Sequence, residues 1–124
     1  MGLRAVQGPV AGTWVPTVTP AAGAITSYTV TYAKYTLFGK KCHAEFRIVL
    51  TNHGTGSGGL SVTLPFTVDS NRYMGTGRET VNTGVLLGVQ ALGAGTACTV
   101  IRYDNTTIIA TNADITASVE YDVA

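Results

Sequence analysis

Six residues, GTGSGG from Gly54 to Gly59, carry the GxGxxG spacing that lets a backbone curl around a dinucleotide pyrophosphate. That chemistry needs a strand before the glycines and a helix after them, whose N-terminus holds the phosphates. A strand does precede them, in KKCHAEFRIVLT. After them comes LSVTLPF, where Leu60, Val62 and Leu64 alternate with Ser61 and Thr63, the period of a strand. Glu79 stands far enough downstream for a ribose contact, but without the helix it has no role to play. No cofactor is expected. The run is read instead as a long hairpin loop, Asn52 to Gly59, whose glycines take positive backbone angles at little steric cost.

The other groups able to do chemistry are scattered. His43 and His53 are the only imidazoles. His43 follows Cys42, but neighbours on a strand point to opposite faces, so that pair cannot chelate one metal. His53 is expected as a solvated side chain at the mouth of the glycine loop. No nucleophile sits in a recognisable elbow, and no carboxylate pair has the surroundings of a sugar or phosphoryl site. Neither a catalytic residue nor a metal ligand is expected, and the chain reads as non-enzymatic. Asn105 to Thr107 forms a formal glycosylation sequon and is read as a turn. Cys42 and Cys98 are expected as reduced thiols filling space in the core.

These residues belong to a chain of 124, one domain in size. Charged residues are only 12% of it, about half the ~25% of an ordinary soluble domain. The net charge of +1 gives no field for holding phosphates, so nucleic acid is not an expected partner. No apolar run approaches the ~20 residues that span a bilayer, and membrane insertion is not expected. Twenty Thr, fourteen Val and six Ile make about a third of the chain β-branched, the type that suits a pleated surface.

Periodicity turns that composition into strands. Cys42, Ala44, Phe46, Ile48 and Leu50 alternate with polar neighbours, as do Ile115, Ala117, Val119, Tyr121 and Val123. Leu60, Val62, Leu64, Phe66 and Val68 predict a third strand, with Pro65 marking an edge or a strand end. Less regular strands are predicted at TWVPTVT, SYTVTYAKYTLF, GVLLGVQAL, TACTVIRY and TIIA. A shift of phase between Tyr32 and Ala33 predicts a bulge. TGRE, Thr76 to Glu79, matches a capping box but opens no apolar helical stripe, so no helix is expected. The prediction is all-β: an antiparallel β-sandwich or jelly roll of about eight strands, with residues 1–12 an N-terminal arm and 13–124 one β-sandwich domain.

Two surfaces invite a partner. Lys41, His43, Glu45 and Arg47 share the polar face of one strand, and Asp114, Glu120 and Asp122 offer it an acidic complement, so this face is a candidate subunit interface. Loops expected around Asn71 to Arg78 and Asp104 to Thr107 form a candidate receptor surface, with Arg72, Tyr73 and Arg78 able to stack on and hydrogen-bond a sugar.

GTWVPTVT, YTVTYAKYTLFGKKCHAEFRIVLT and GTGSGGLSVTLPF together resemble a group of bacteriophage virion proteins. These are the trimeric jelly-roll knobs at tail-fibre tips and related small head-surface proteins. The shared positions are Gly12, Trp14, Pro16, Tyr35, Gly39, Gly54 to Gly59, and Leu64 to Phe66, and SVEYDVA resembles the closing strand. The likeness covers the first half well and the second loosely. It implies a homotrimer on the virion surface, made in the host-cell cytoplasm, whose partners are itself and other virion proteins such as the major capsid protein or a tail protein. About a dozen residues precede Trp14, where a fibre tip would follow a long shaft. The first expectation is therefore a capsid decoration protein whose arm, Gly2 to Gly12, lies on the shell. The alternative is the receptor-binding head of a tail fibre, touching a host surface glycan or protein.

Overall fold

The computed structural model describes residues 9–124. Nine strands run along these residues: β1 (Val10–Thr13), β2 (Val18–Ala22), β3 (Ser27–Phe38), β4 (Lys41–Asn52), β5 (Ser57–Thr63), β6 (Tyr73–Glu79), β7 (Leu86–Ala91), β8 (Ala97–Arg102) and β9 (Asp114–Asp122). They form one antiparallel sheet in the order β1-β3-β4-β9-β6-β7-β8-β5-β2, and no helix occurs among the described residues. The all-β antiparallel prediction stands, with nine strands for about eight.

The sheet is curled, and its concave face is the core. Phe46, Ile48 and Leu50 of β4, Leu60 and Val62 of β5, Val89 of β7, Val100 of β8, and Ile115 and Tyr121 of β9 are wholly buried. Each such large apolar side chain contributes ~1.5–3 kcal/mol by leaving water. β9 and β6 approach each other closely on the concave side. The inward positions of β6 are Tyr73, Gly75, Gly77 and Glu79, and a Cβ added at Gly75 would stand 2.1 Å from the Ser118 carbonyl oxygen and 2.8 Å from Val119 Cα. At Gly77 it would stand 2.6 Å from Ala117 Cβ. Only side chains of no size let the two strands fold onto each other here, and β7 consequently reaches across to β9.

On the other side Trp14 to Thr17 latches the curl. The Trp14 backbone N–H donates to Ala33 of β3, and its indole Nε1 donates to the Thr63 carbonyl at the end of β5, 2.8 Å away. The Thr63 N–H returns to the Thr17 carbonyl at 3.1 Å, and the Trp14 ring meets Phe46 edge-on at 6.5 Å. TWVPTVT is thus not one strand. Residues 14–17 cross from the edge of β3 to β2, with Pro16 buried.

The glycine run is no hairpin. β4 pairs with β3 and β9, while β5 pairs with β8 and β2, so Asn52 to Gly56 carries the chain between strands that are not neighbours. It travels beside the β2–β3 connection, with the Thr55 N–H donating to Ala24 O at 3.0 Å and the Ala24 N–H to Thr55 Oγ1 at 3.1 Å. Gly23 and Gly54 both have positive φ, 74° and 58°, and each abuts the other loop's backbone. The glycines do mark tight, left-handed backbone, as their spacing predicts. The hairpin pairing is what fails, because nested pairs β3·β4 and β2·β5 put a crossover where adjacency in sequence suggests a turn.

Four other expectations change. β5 ends at Thr63: Pro65 cannot donate to a ladder, and beyond it only Val68 bridges, to Val123. TIIA is not a strand, though Ile108 and Ile109 are buried. The bulge in β3 falls between Val30 and Tyr32, just before the predicted place, with another between Ser27 and Thr29. Of the arm expected over residues 1–12, residues 1–8 lie outside the described ones, and Val10 to Gly12 are paired in β1 with Leu37 to Tyr35.

The stretch Leu64 to Val68 is tied down at its ends by the Leu64 N–H on Thr96 O and the Val68 N–H on Gly95 O, and at its middle by one side chain of β9. The Tyr121 hydroxyl donates to Phe66 O at 3.0 Å and accepts from the Phe66 N–H at 3.2 Å, so both backbone groups of Phe66 are satisfied. Burial pushes this phenol well above its usual range. Tyr121→Phe leaves both groups without a partner and is expected to cost about 1–3 kcal/mol, read as a lowered urea midpoint with an unchanged m-value.

Candidate interaction surface

Strand parity sets Lys41, His43, Glu45 and Arg47 on the convex face of β4, opposite the buried Cys42, Ala44, Phe46 and Ile48. The flanking strands complete the charge pattern. Lys41 Nζ lies 2.8 Å from Asp122 Oδ1 of β9, and Lys34 Nζ of β3 lies 3.2 Å from Glu45 Oε1. His43 Nε2 is 3.7 Å from Glu45 Oε2, and the register sets Glu120 directly opposite His43. Arg47 forks onto Asp114, Nε to Oδ1 at 3.0 Å and Nη2 to Oδ2 at 2.7 Å. The acidic residues of the last strand do complement β4, within one chain. The hydrogen bond to Asp122 holds the Lys41 ammonium above its usual range.

Such exposed pairs contribute roughly 0–1 kcal/mol each. The Arg47–Asp114 fork is the strong one, because it is bidentate and the Asp114 side chain is only 8% exposed. Beside this stripe, between β1, β3 and β4, a surface cleft of about 400 Å³ is lined by Ala11, Thr13, Lys34, Thr36, His43 and Glu45. An ammonium, an imidazole, a carboxylate and two hydroxyls line it, a set suited to hydrogen-bonding a polar ligand or a neighbouring polypeptide.

The residues expected in a receptor loop are not brought together. Asn71 to Arg78 is mostly strand: Tyr73 and Arg78 stand near opposite ends of β6, about 17 Å apart at ~3.4 Å per residue, and face opposite sides of the sheet. Only Arg72 lies in the connecting loop, where it is exposed. The Tyr73 hydroxyl is committed to Asp69, 3.0 Å from each carboxylate oxygen, and Arg78 Nε donates to Gly84 O at 3.1 Å. The Asn71 backbone N–H and the Tyr73 hydroxyl hold Asp69 below the usual carboxylate range.

His53 is half-buried rather than solvated: its Nδ1 is 2.8 Å from Thr111 Oγ1, which ties the crossover to the β8–β9 connection. Asn105 occupies a turn with φ of 67°, as its sequence context predicts. Cys42 and Cys98 are buried free thiols, and burial pushes Cys98 up to about 12.

The group that sequence patterns give no role is Glu79. Its side chain is wholly buried, and its two oxygens accept from the N–H groups of Val81, Asn82, Thr83 and Asp114, at 2.6–3.1 Å, and from the Thr83 hydroxyl at 3.1 Å. Burial alone would raise its pKa, but the N–H groups of Asn82, Thr83, Asp114 and Val81 outweigh it and lower the carboxyl from 4.5 to about 2. Glu79 therefore fixes the β6–β7 loop and anchors it to the start of β9, next to the Arg47–Asp114 fork.

No protein-family model matches the sequence, and no curated protein matches it. Among solved structures, the crystal structure of the Dettilon tailspike protein superposes with a TM-score of 0.69 at 17% sequence identity. This chain shares its fold with one part of that tailspike. The superposition covers 92% of this chain and 24% of that one, so the chain spans about a quarter of the tailspike's length.

Proposed function

We propose that this chain is a non-enzymatic structural module of a bacteriophage tail, a head domain that presents its loops to the host surface. The observation that carries this is the tailspike likeness over 92% of the chain. The curled sheet serves as a jelly-roll type knob, associated as a homotrimer and lying on the virion surface. Contact with a host glycan or protein falls to exposed groups at the ends of the sheet, Arg72 at one end and the Asp104 to Thr107 turn at the other. Capsid decoration has less behind it. The solved neighbour is a tailspike, and Val10 to Gly12, which decoration would lay on a shell, are hydrogen-bonded into β1.

Gold-labelled antibody against the purified chain, applied to intact particles carrying it, is expected to mark the tail tip. Label over the head would restore capsid decoration. Incubation with host surface polysaccharide is expected to release no reducing ends, and release would make the module an enzyme.

A further inference from the structure

The convex surface of the sheet changes chemistry at the β9–β6 crease. On β3, β4 and β9 it carries Lys34, Lys41, Glu45, Arg47, Glu120 and Asp122, six of the fifteen charged residues of the whole chain. On β6, β7, β8 and β5 the outward positions carry one, Arg78, whose Nε is occupied by Gly84 O. In place of charge this half shows Met74, Leu86 and Tyr103, which are 65%, 58% and 69% exposed. Leu86 pairs with Arg78 across β6 and accepts the Tyr103 N–H on the β8 side, so Leu86 and Tyr103 are neighbours at one end. Met74 stands at the other end, and the row between them runs Thr76, Gly88, Ile101. A Cβ on Gly88 would meet nothing closer than Ile101 O at 4.0 Å, so the row forms an open floor between two apolar ridges.

From this segregation we infer that the charge-poor face of β6, β7, β8 and β5 is where a second copy of this chain docks. The inference rests on the proposed self-association and is independent of placement in the tail. Charge decides the occupant. A charged surface seated here would be stripped of water with Arg78 alone, at the Leu86 end, as a counter-charge. The charged half of a second copy is excluded for the same reason, since Lys34, Lys41, Glu45, Arg47 and Asp122 are already paired within their own chain. The matching surface is a different part of the same charge-poor half of that copy, so that in the proposed trimer three such faces meet around the axis. The charged stripe of Lys41, His43, Glu45 and Arg47 then faces solvent.

Four strands ~4.8 Å apart and about six residues long give a flat area of ~400 Å², half the ~800 Å² per partner of a standard interface. The β6–β7 loop, where Val81 is 60% exposed, and the Tyr103 end of the β8–β9 connection complete it.

Light scattering on the purified chain, from about 1 to 100 μM, tests this with three substitutions. The unsubstituted chain is expected to self-associate. Gly88→Arg and Thr76→Arg place a charge on the floor without touching the core and are expected to weaken association by at least about tenfold, with unchanged thermal melts. Glu45→Arg on the charged half is expected to leave it within about twofold. A chain monomeric throughout this range overturns both this inference and the trimer. Loss of association in Glu45→Arg with retention in Gly88→Arg and Thr76→Arg overturns this inference alone and returns the interface to β4.

Discussion

Replacing Gly75 with valine is expected to leave no folded domain at 37 °C. Valine is the better strand former, so propensity alone would forecast a gain. The crease reverses the sign. The new Cβ would fall 2.1 Å from the Ser118 carbonyl oxygen and within 2.9 Å of Val119 Cα and Cβ, and the first two are backbone atoms with no rotamer to yield. Strand β9 is held on its far side by β4 over nine residue pairs, so it cannot retreat without breaking that ladder. Overpacking in a core ordinarily costs ~1–3 kcal/mol, and a clash between two backbones should exceed ~4, most of the stability of a small domain. The control is one strand away: Gly88→Val meets open space and is expected to stay within ~0.5 kcal/mol of the parent. Soluble yield and urea midpoints of the two variants check this, and equal midpoints would refute the crease.

Glu79→Gln should be the most damaging isosteric change in the protein. Glutamine keeps the shape but turns an NH₂ group toward N–H donors and removes the charge that five donors serve. The fall of the carboxyl from 4.5 to about 2 corresponds to about 3–4 kcal/mol at neutral pH, at ~1.4 kcal/mol per unit. Because the folded value lies below the unfolded one, this stabilisation is fully present above about pH 4.5 and is lost as pH falls toward 2. The urea midpoint of the parent should therefore fall over that interval, and the Gln variant, already lower at pH 7, should fall less. Parallel curves would show that Glu79 is not the titrating group.

β4 and β9 are legible in the sequence because their core-facing positions are apolar without a gap, so burial and hydropathy carry the same period. β6 is not, and its composition explains why. Its inward residues are an aromatic, two glycines and a carboxylate, which a hydropathy alternation cannot register, although Tyr73 to Glu79 sits mid-sheet. Sequence alone therefore suggests a receptor loop there. The match of Thr76 to Glu79 to a capping box holds a physical signal: Glu79 does cap backbone N–H groups, two, three and four residues ahead, but of a loop instead of a helix. Alternation overruns at Leu64 to Val68 for the opposite reason. Buried and exposed residues keep alternating after Pro65 has ended the pairing, because Tyr121 and a few separate backbone hydrogen bonds hold that stretch against the core in place of a ladder. Pairing order stays out of reach, since no local pattern distinguishes a hairpin from a crossover when both need glycine.

Trp14 is the chain's one tryptophan, and it sits where two distant parts of the sheet are brought together, its indole N–H on the Thr63 carbonyl and its ring edge-on to Phe46. The molecule thereby carries its own reporter. Excited at the red edge, this lone indole emits from the latch and from nowhere else, so its spectral shift on refolding times the joining of β3 to the β5 end, separately from backbone signals that average over nine strands.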